Sequence, residues 1–145
     1  MDKFNFDRVV KNLQNVKTVV PKKIANETKN FFVREFNSQS WDGTAWRPVL
    51  RASRSGGSSR NRSAILVQSG KLRRGLINSI REASFNKILL QVVDVSYAKG
   101  HNEGLNAGRS PGFKMPKRTF MGQTKRLTTL QREIIVKNID AIWRG

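Results

Sequence analysis

The segment from Asp94 to Glu103 is the one place where acid, phenol and imidazole approach each other along the sequence. It contains Tyr97 and His101, the single tyrosine and the single histidine of the chain. A histidine there could act as a general base, but such chemistry needs a matched partner and a cleft. A lone histidine beside a tyrosine is more often part of the packing. We therefore expect His101 to be structural rather than catalytic.

A second pattern, Ser69-Gly70-Lys71, resembles the end of a phosphate-binding loop. That motif requires glycine where the chain has Ile65 and serine or threonine where it has Leu72, so it fails at both positions. The chain also lacks cysteine, and its ten carboxylates are scattered. Thiol chemistry and Cys-ligated metals are therefore excluded. We predict a protein that is not an enzyme, with no catalytic residue, no metal site and no cofactor.

The apolar runs, such as 88–90, are too short to span a membrane, and the N-terminus lacks the apolar core of a signal peptide. We expect a soluble protein without a membrane partner.

The charge is strongly one-sided. Lysine and arginine total 28 against 10 acidic residues, which gives a net charge of +18. Two long stretches, 43–81 and 104–132, contain no acidic residue. Such a surface is either an ordinary solvated face or one that meets a polyanion or an acidic protein, and the two acid-free stretches favour the second interpretation. We predict that a set of basic side chains faces DNA or a protein partner. They are Arg51, Arg54, Arg60, Arg62, Arg73, Arg74, Lys117 and Arg118.

The N-terminal part of the chain is typical of helix. Apolar residues recur every three or four positions from Phe6 to Phe36, and Phe31 and Phe32 on this stripe are expected to be core rather than base-stacking residues. Pro21 interrupts the pattern, which predicts a short helix followed by a second one, with a single kinked helix as the alternative. Residues 51–63 form a low-complexity basic segment that we expect to be mobile and to order on assembly.

The rest of the chain mixes strand and helix signals. We predict a turn at 42–43, another turn at 69–72, and strands at 76–80 and 87–95 joined by a hairpin at 84–86. A short helix or turn at 97–104 and a loop at 105–118 follow, and a final helix begins at Thr124 as N-cap. The predicted fold is α+β, with N- and C-terminal helices packed on a small antiparallel β-sheet in a single domain over residues 1–145.

Four short motifs, in this order, carry a resemblance. They are Gly43 with Trp46, Gly70 with Leu72, Tyr97 with His101, and Pro116 with Arg118 and Phe120. Together they resemble the phage virion morphogenesis family, the Mu-like tail completion proteins, over roughly residues 20–143. For every one of these motif residues we expect maintenance of the fold as the main role.

The resemblance implies a virion protein at the head–tail junction or tail, assembled in the host cytoplasm. It implies partners among the neck and tail proteins, namely the tail terminator, tail tube and connector, and a homo-oligomeric ring with non-specific DNA contact. The charge alone leaves open a free-standing nucleic-acid-binding protein of the ribosomal or nucleoid-associated kind. A small nuclease is the least favoured reading, because no cluster of carboxylates is visible.

Overall fold

The protein is described by a computed structural model that covers residues 5–48, 65–67 and 69–144. The low-complexity segment 51–63 lies outside the described residues. The elements in chain order are α1 (Phe6–Asn37), β1 (Ser40–Trp41), β2 (Thr44–Ala45), α2 (Lys71–Ile77), β3 (Ile80–Ala83), β4 (Ile88–Leu90), α3 (Ala98–Glu103), β5 (Asn106–Ala107), β6 (Phe113–Lys114) and α4 (Lys125–Arg144).

The described strands pair into three separate two-stranded antiparallel sheets, β1–β2, β3–β4 and β5–β6. The α+β class, with helices at both ends and small antiparallel sheets, is thereby confirmed. Contacts divide the chain into two compact units, each made of separated segments. The first unit contains residues 1–29, 80–91 and 123–145, and the second contains 30–79 and 92–122. The expectation of one domain over 1–145 stays a prediction.

Helix α1 runs through Pro21 without a break, so the prediction of two helices is wrong and the single-helix alternative holds. Proline removes one hydrogen-bond donor and crowds the preceding turn, which is costly within a helix. Here Val20 and Ala25 are both buried beside it. Burial of an apolar stripe supplies most of the stability of a helix in a protein, so packing outweighs the local penalty.

Helix α4 lies antiparallel to α1 in the first unit. Lys23 Nζ donates to Asn138 Oδ1 at 2.8 Å, and Gln131 Nε2 donates to Thr28 Oγ1 at 3.0 Å, so residue numbers rise along one helix as they fall along the other. The predicted N-cap is confirmed, because Thr124 Oγ1 accepts the backbone N–H of Leu127 at 3.1 Å.

The stretch 71–77 corrects two predictions. It forms helix α2, where a turn at 69–72 and a strand at 76–80 were expected, and only Ile80 of that strand belongs to β3. Leu72 and Leu76 lie four residues apart and are both buried, which is a helical rather than a strand pattern. The strand expected at 87–95 is shortened to Ile88–Leu90.

The hairpin expected at 84–86 is confirmed, since the backbone N–H of Ser84 donates to the carbonyl of Lys87 at 2.9 Å. The Asp42-Gly43 turn is confirmed as the two-residue connection of β1 and β2. Both of its residues have positive φ, 50° and 84°, as a type I′ turn requires. The expected loop 105–118 holds the β5–β6 hairpin, and the helix alternative for 97–104 is confirmed as α3.

Two glycines inside short helices give a matched pair of substitutions. A Cβ on Gly75 would lie 2.8 Å from Val92 Cγ1, whereas one on Gly100 would meet only Met115 Cε at 2.9 Å. Valine is stiff, but the end of a methionine side chain can move. We expect Gly75→Ala to destabilise the protein by about 1–3 kcal/mol. Gly100→Ala is expected to be neutral or to stabilise by up to about 1 kcal/mol, the helix propensity of alanine over glycine.

Chemical denaturation of the two alanine variants and the wild type measures the difference. Equal stability of the two variants would contradict the close approach of α2 and Val92.

Candidate interaction site

Asn102 ties helix α3 to the segment that precedes α4. Its Oδ1 accepts the backbone N–H of Phe120 at 2.9 Å and that of Met121 at 3.1 Å, while its Nδ2 donates to the Met121 carbonyl at 3.1 Å. The carbonyl of Asn102 also accepts the hydroxyl of Thr119 at 3.3 Å. One side chain therefore satisfies three backbone groups of a segment that has no regular partner strand.

An aromatic cluster holds the same segment from another side. The ring of Phe36 packs edge-on against Trp46, with centroids 5.6 Å apart, and against Phe120 at 6.2 Å. The indole N–H of Trp46 donates to the Thr119 carbonyl at 2.8 Å. All three rings are buried, so the cluster adds apolar burial to a hydrogen bond that fixes the orientation of the indole.

Arg118 is the basic residue whose prediction the structure corrects. Its side chain is only 4% exposed, so it does not present its charge to DNA or a partner in the described structure. Its Nη2 donates to the Arg47 carbonyl at 3.3 Å, and its backbone N–H donates to the His101 carbonyl at 2.8 Å. Its Nε finds no acceptor among the described residues, and burial lowers the pKa of the guanidinium.

His101 lies beside this arginine and packs edge-on against Tyr97, with ring centroids 5.9 Å apart. Its Nδ1 is buried and has no hydrogen-bond partner in the described part of the chain. Burial lowers the pKa of the imidazole, and the nearby charge of Arg118 lowers it further. A neutral imidazole packed on a phenol ring fits the structural role expected from the sequence.

The lowered pKa of His101 predicts a pH-dependent stability. The unfolded chain takes up a proton near pH ~6.5, but the native imidazole resists protonation. The free energy of unfolding is therefore expected to fall as the pH drops from about 7.5 to about 5.5, and to be flat above that range. Thermal unfolding across this series measures the effect, and His101→Gln should remove it because no other histidine is present. An unchanged slope in that variant would contradict the assignment.

Of the other seven predicted basic residues, three lie in the described part of the chain and four lie outside it. Arg73 and Arg74 lie on α2 and are exposed, and Lys117 is exposed at the start of the segment held by Asn102. Arg74 Nη2 also donates to the Ser69 carbonyl at 3.3 Å. The remaining four, Arg51, Arg54, Arg60 and Arg62, lie outside the described residues. Lys117 and Arg118 are neighbours in the sequence, but Lys117 is exposed and Arg118 is buried.

The motif residues have structural surroundings. Gly43 and Gly70 have positive φ, and Gly70 directly precedes α2. Leu72 is fully buried, Tyr97 precedes α3, and Pro116 is half-buried.

Two side chains that the sequence reasoning did not single out fix the loops of the second unit. Asn102 is the first. Glu35 is the second, because its buried carboxylate accepts the backbone N–H of Asp42 at 2.7 Å and thereby holds the β1–β2 turn. The available signal for Asn102 was weak: asparagine is a poor helix former, and it stands two residues before a glycine with positive φ.

No three His, Cys, Asp or Glu side chains among residues 5–48, 65–67 and 69–144 lie close enough to hold a metal ion. Within the same residues, no helix is long and apolar enough to cross a membrane.

Buried side chains thus hold the loops of the second unit in place. Comparison with protein families identifies the match: the model of the phage virion morphogenesis family covers residues 3–140. This chain belongs to that family. Neither a curated protein nor a solved structure matches it significantly. The family indicates a structural or assembly role in the virion together with other virion proteins.

Proposed function

We propose that the protein is a non-enzymatic component that acts in tail completion or at the head–tail junction, as one subunit of a ring. The observation that carries the proposal is the family match over residues 3–140, nearly the whole chain. In this proposal the function lies in the assembled surfaces of the protein rather than in a reactive group.

The pinned loops of the second unit support this role. Asn102, Trp46 and Glu35 each bind backbone groups of irregular segments, which keeps those segments in one conformation without a partner. A loop that is already fixed loses less conformational entropy when it docks onto a neighbouring subunit. Preformed contact surfaces of this kind suit a subunit that must add to a growing particle.

The exposed basic residues indicate a partner with an acidic surface. Arg73, Arg74 and Lys117 are exposed, and the net charge of the chain is +18. An acidic face on a tail terminator, tail tube or connector protein would neutralise this charge, and so would DNA that passes through the ring. The proposed partners are these neck and tail proteins, with non-specific contact to DNA.

The test is disruption of the gene in the phage or prophage that encodes it, followed by electron microscopy of the particles. We expect full heads beside detached or malformed tails, and we expect joined, infectious particles when the wild-type gene is supplied in trans. Normal infectious particles without the gene would overturn the proposal. Cleavage of DNA by the purified protein would overturn its non-enzymatic part.

A free-standing nucleic-acid-binding protein is the second candidate, favoured by the same excess of charge. Titration of the purified protein with duplex DNA at increasing salt separates the two candidates. Neutralisation of several phosphates makes the logarithm of affinity fall with a slope of about −0.9 per phosphate. Normal particles after gene disruption, together with a steep slope, would favour this candidate.

A further inference from the structure

The first unit has two apolar faces that its own fold leaves exposed. One is the N-terminal stripe of α1, formed by Phe6, Val10 and Leu13. The other is the outer stripe of α4. It consists of Ile135, Val136, Ile139 and Trp143. Exposure of these seven side chains ranges from 40% to 71%, with Phe6 the highest and Trp143 at 62%.

The α1 stripe continues the buried face of the same helix. Phe6, Val10 and Leu13 follow helical spacing, and the next positions on that face include Val20 and Thr28, both buried. Thr28 is bonded to α4 through Gln131, and Val20 lies in the same groove as Ile142. The face is therefore covered where α4 runs beside it, whereas Phe6, Val10 and Leu13 are exposed nearer the start of α1, where Val9 is buried.

Helix α4 has two apolar faces, an inner face that is buried in the first unit and the outer stripe, which is exposed. Leu127 and Ile142 on the inner face are buried. Ile135, Ile139 and Trp143 repeat every four residues and lie beside that face, and all three are exposed. An apolar surface on both sides of a helix is typical of one that packs against two neighbours.

We propose that the N-terminal stripe of α1 in one copy docks against the outer stripe of α4 in the next copy. This inference rests on the proposed function, because a closed ring needs a heterologous contact between two different surfaces of the same chain. The two stripes differ in sequence and lie on one unit, so each subunit can offer one stripe to each neighbour.

The exposed area fits a contact of this kind. A large apolar side chain has about 150–250 Å² of surface, so the seven half-exposed side chains together offer roughly 700 Å². A standard interface buries about 1,200–2,000 Å² in total, of which somewhat more than half, or about 700–1,100 Å², is apolar. One α1 stripe and one α4 stripe therefore supply the apolar core of one interface of ordinary size.

The test uses the full chain and neutral substitutions that leave the net charge unchanged. Sedimentation velocity of the wild type should show association that increases with concentration. Phe6→Gln and Trp143→Gln should each weaken it by about 30-fold or more, the effect of losing an interface hot spot. Phe113→Gln is the matched control, since Phe113 is as exposed as Trp143 but lies on β6 in the second unit.

Mixing the two defective variants gives the sharper result. The Phe6→Gln chain keeps an intact α4 stripe and the Trp143→Gln chain keeps an intact α1 stripe, so together they should form a 1:1 dimer that grows no further. A contact between identical stripes would instead survive in one of the two variants. A wild type that stays monomeric, a mixture that stays monomeric, or an equal loss in the Phe113→Gln control would overturn the proposal.

The dependence of self-association on salt concentration is an independent test of the contact. The +18 charge opposes association of two copies, so screening is expected to strengthen the contact as salt is raised, opposite to binding of DNA. Association that weakens with salt would overturn an apolar contact.

The particles distinguish failure of this contact from failure of the proposed function. Joined particles restored by a monomeric Trp143→Gln chain would overturn the contact and leave the function standing. Normal particles without the gene would overturn the function alone.

Discussion

Replacing Phe120 by alanine is expected to lower the free energy of unfolding by about 3–5 kcal/mol, the range for a fully buried phenylalanine. Phe120 is 2% exposed and packs edge-on against Phe36, which packs in turn against Trp46. Deletion of its ring opens a cavity in this cluster. The neighbouring rings can fill the cavity only in part, because Trp46 is also held by its hydrogen bond to the carbonyl of Thr119.

Urea denaturation monitored by tryptophan fluorescence measures this loss, provided that the dependence on urea keeps its wild-type slope. Phe113→Ala is the matched control. Phe113 is 62% exposed, so its truncation is expected to change the free energy of unfolding by less than about 0.5 kcal/mol. If the two alanine variants lost equal stability, the aromatic cluster would not be the core of the second unit.

Asn102→Ala is expected to cost about 2–4 kcal/mol, because it leaves two backbone N–H groups and one carbonyl without their partner. Those groups belong to Phe120 and Met121, in a part-buried segment. The loss is expected mainly as faster hydrogen exchange in 118–122, measured by mass spectrometry alongside denaturation.

Two further variants test whether the hydrogen bonds of Asn102 cause this loss. Asn102→Asp keeps an acceptor for both N–H groups but loses the donor to the Met121 carbonyl, so its loss of stability should be intermediate. Asn106→Ala changes an exposed asparagine and is expected to be close to neutral. A neutral Asn102→Ala would mean that water replaces the side chain and that the segment is held by the aromatic cluster alone.

Local patterns predicted those elements whose signals lie within a few residues. Asp42-Gly43 is a strong signal for a two-residue hairpin, and Thr124 with the apolar spacing after it defines the start of α4. Short motifs such as Gly43 with Trp46 also carry the family resemblance. The family match over residues 3–140 confirms that resemblance.

Other features depend on contacts between residues far apart in sequence. Pro21 is tolerated within α1 because Val20 and Ala25, on either side of it, are buried. The local sequence around Pro21 does not show that these residues are buried. The prediction of a strand at 76–80 is wrong because Leu72 and Leu76 lie on one buried face of a helix. The predicted strand began at Leu76, so the helical spacing from Leu72 was not considered. Arginine is usually a surface residue, so the sequence alone predicts that Arg118 is exposed. Its burial depends on contacts with Arg47 and His101, which lie far from it in the sequence.

The pairing of the two terminal helices has a consequence for how the protein is made. Lys23 and Asn138, which bond across α1 and α4, are 115 positions apart in the chain. At a synthesis rate of about 5–20 residues per second, roughly 6–23 s pass between translation of the two residues. During that time the apolar face of α1 around Val20 has no α4 to cover it. The first unit therefore cannot complete its fold on the ribosome until α4 has been translated, and in that interval α1 exposes the kind of apolar surface that chaperones bind.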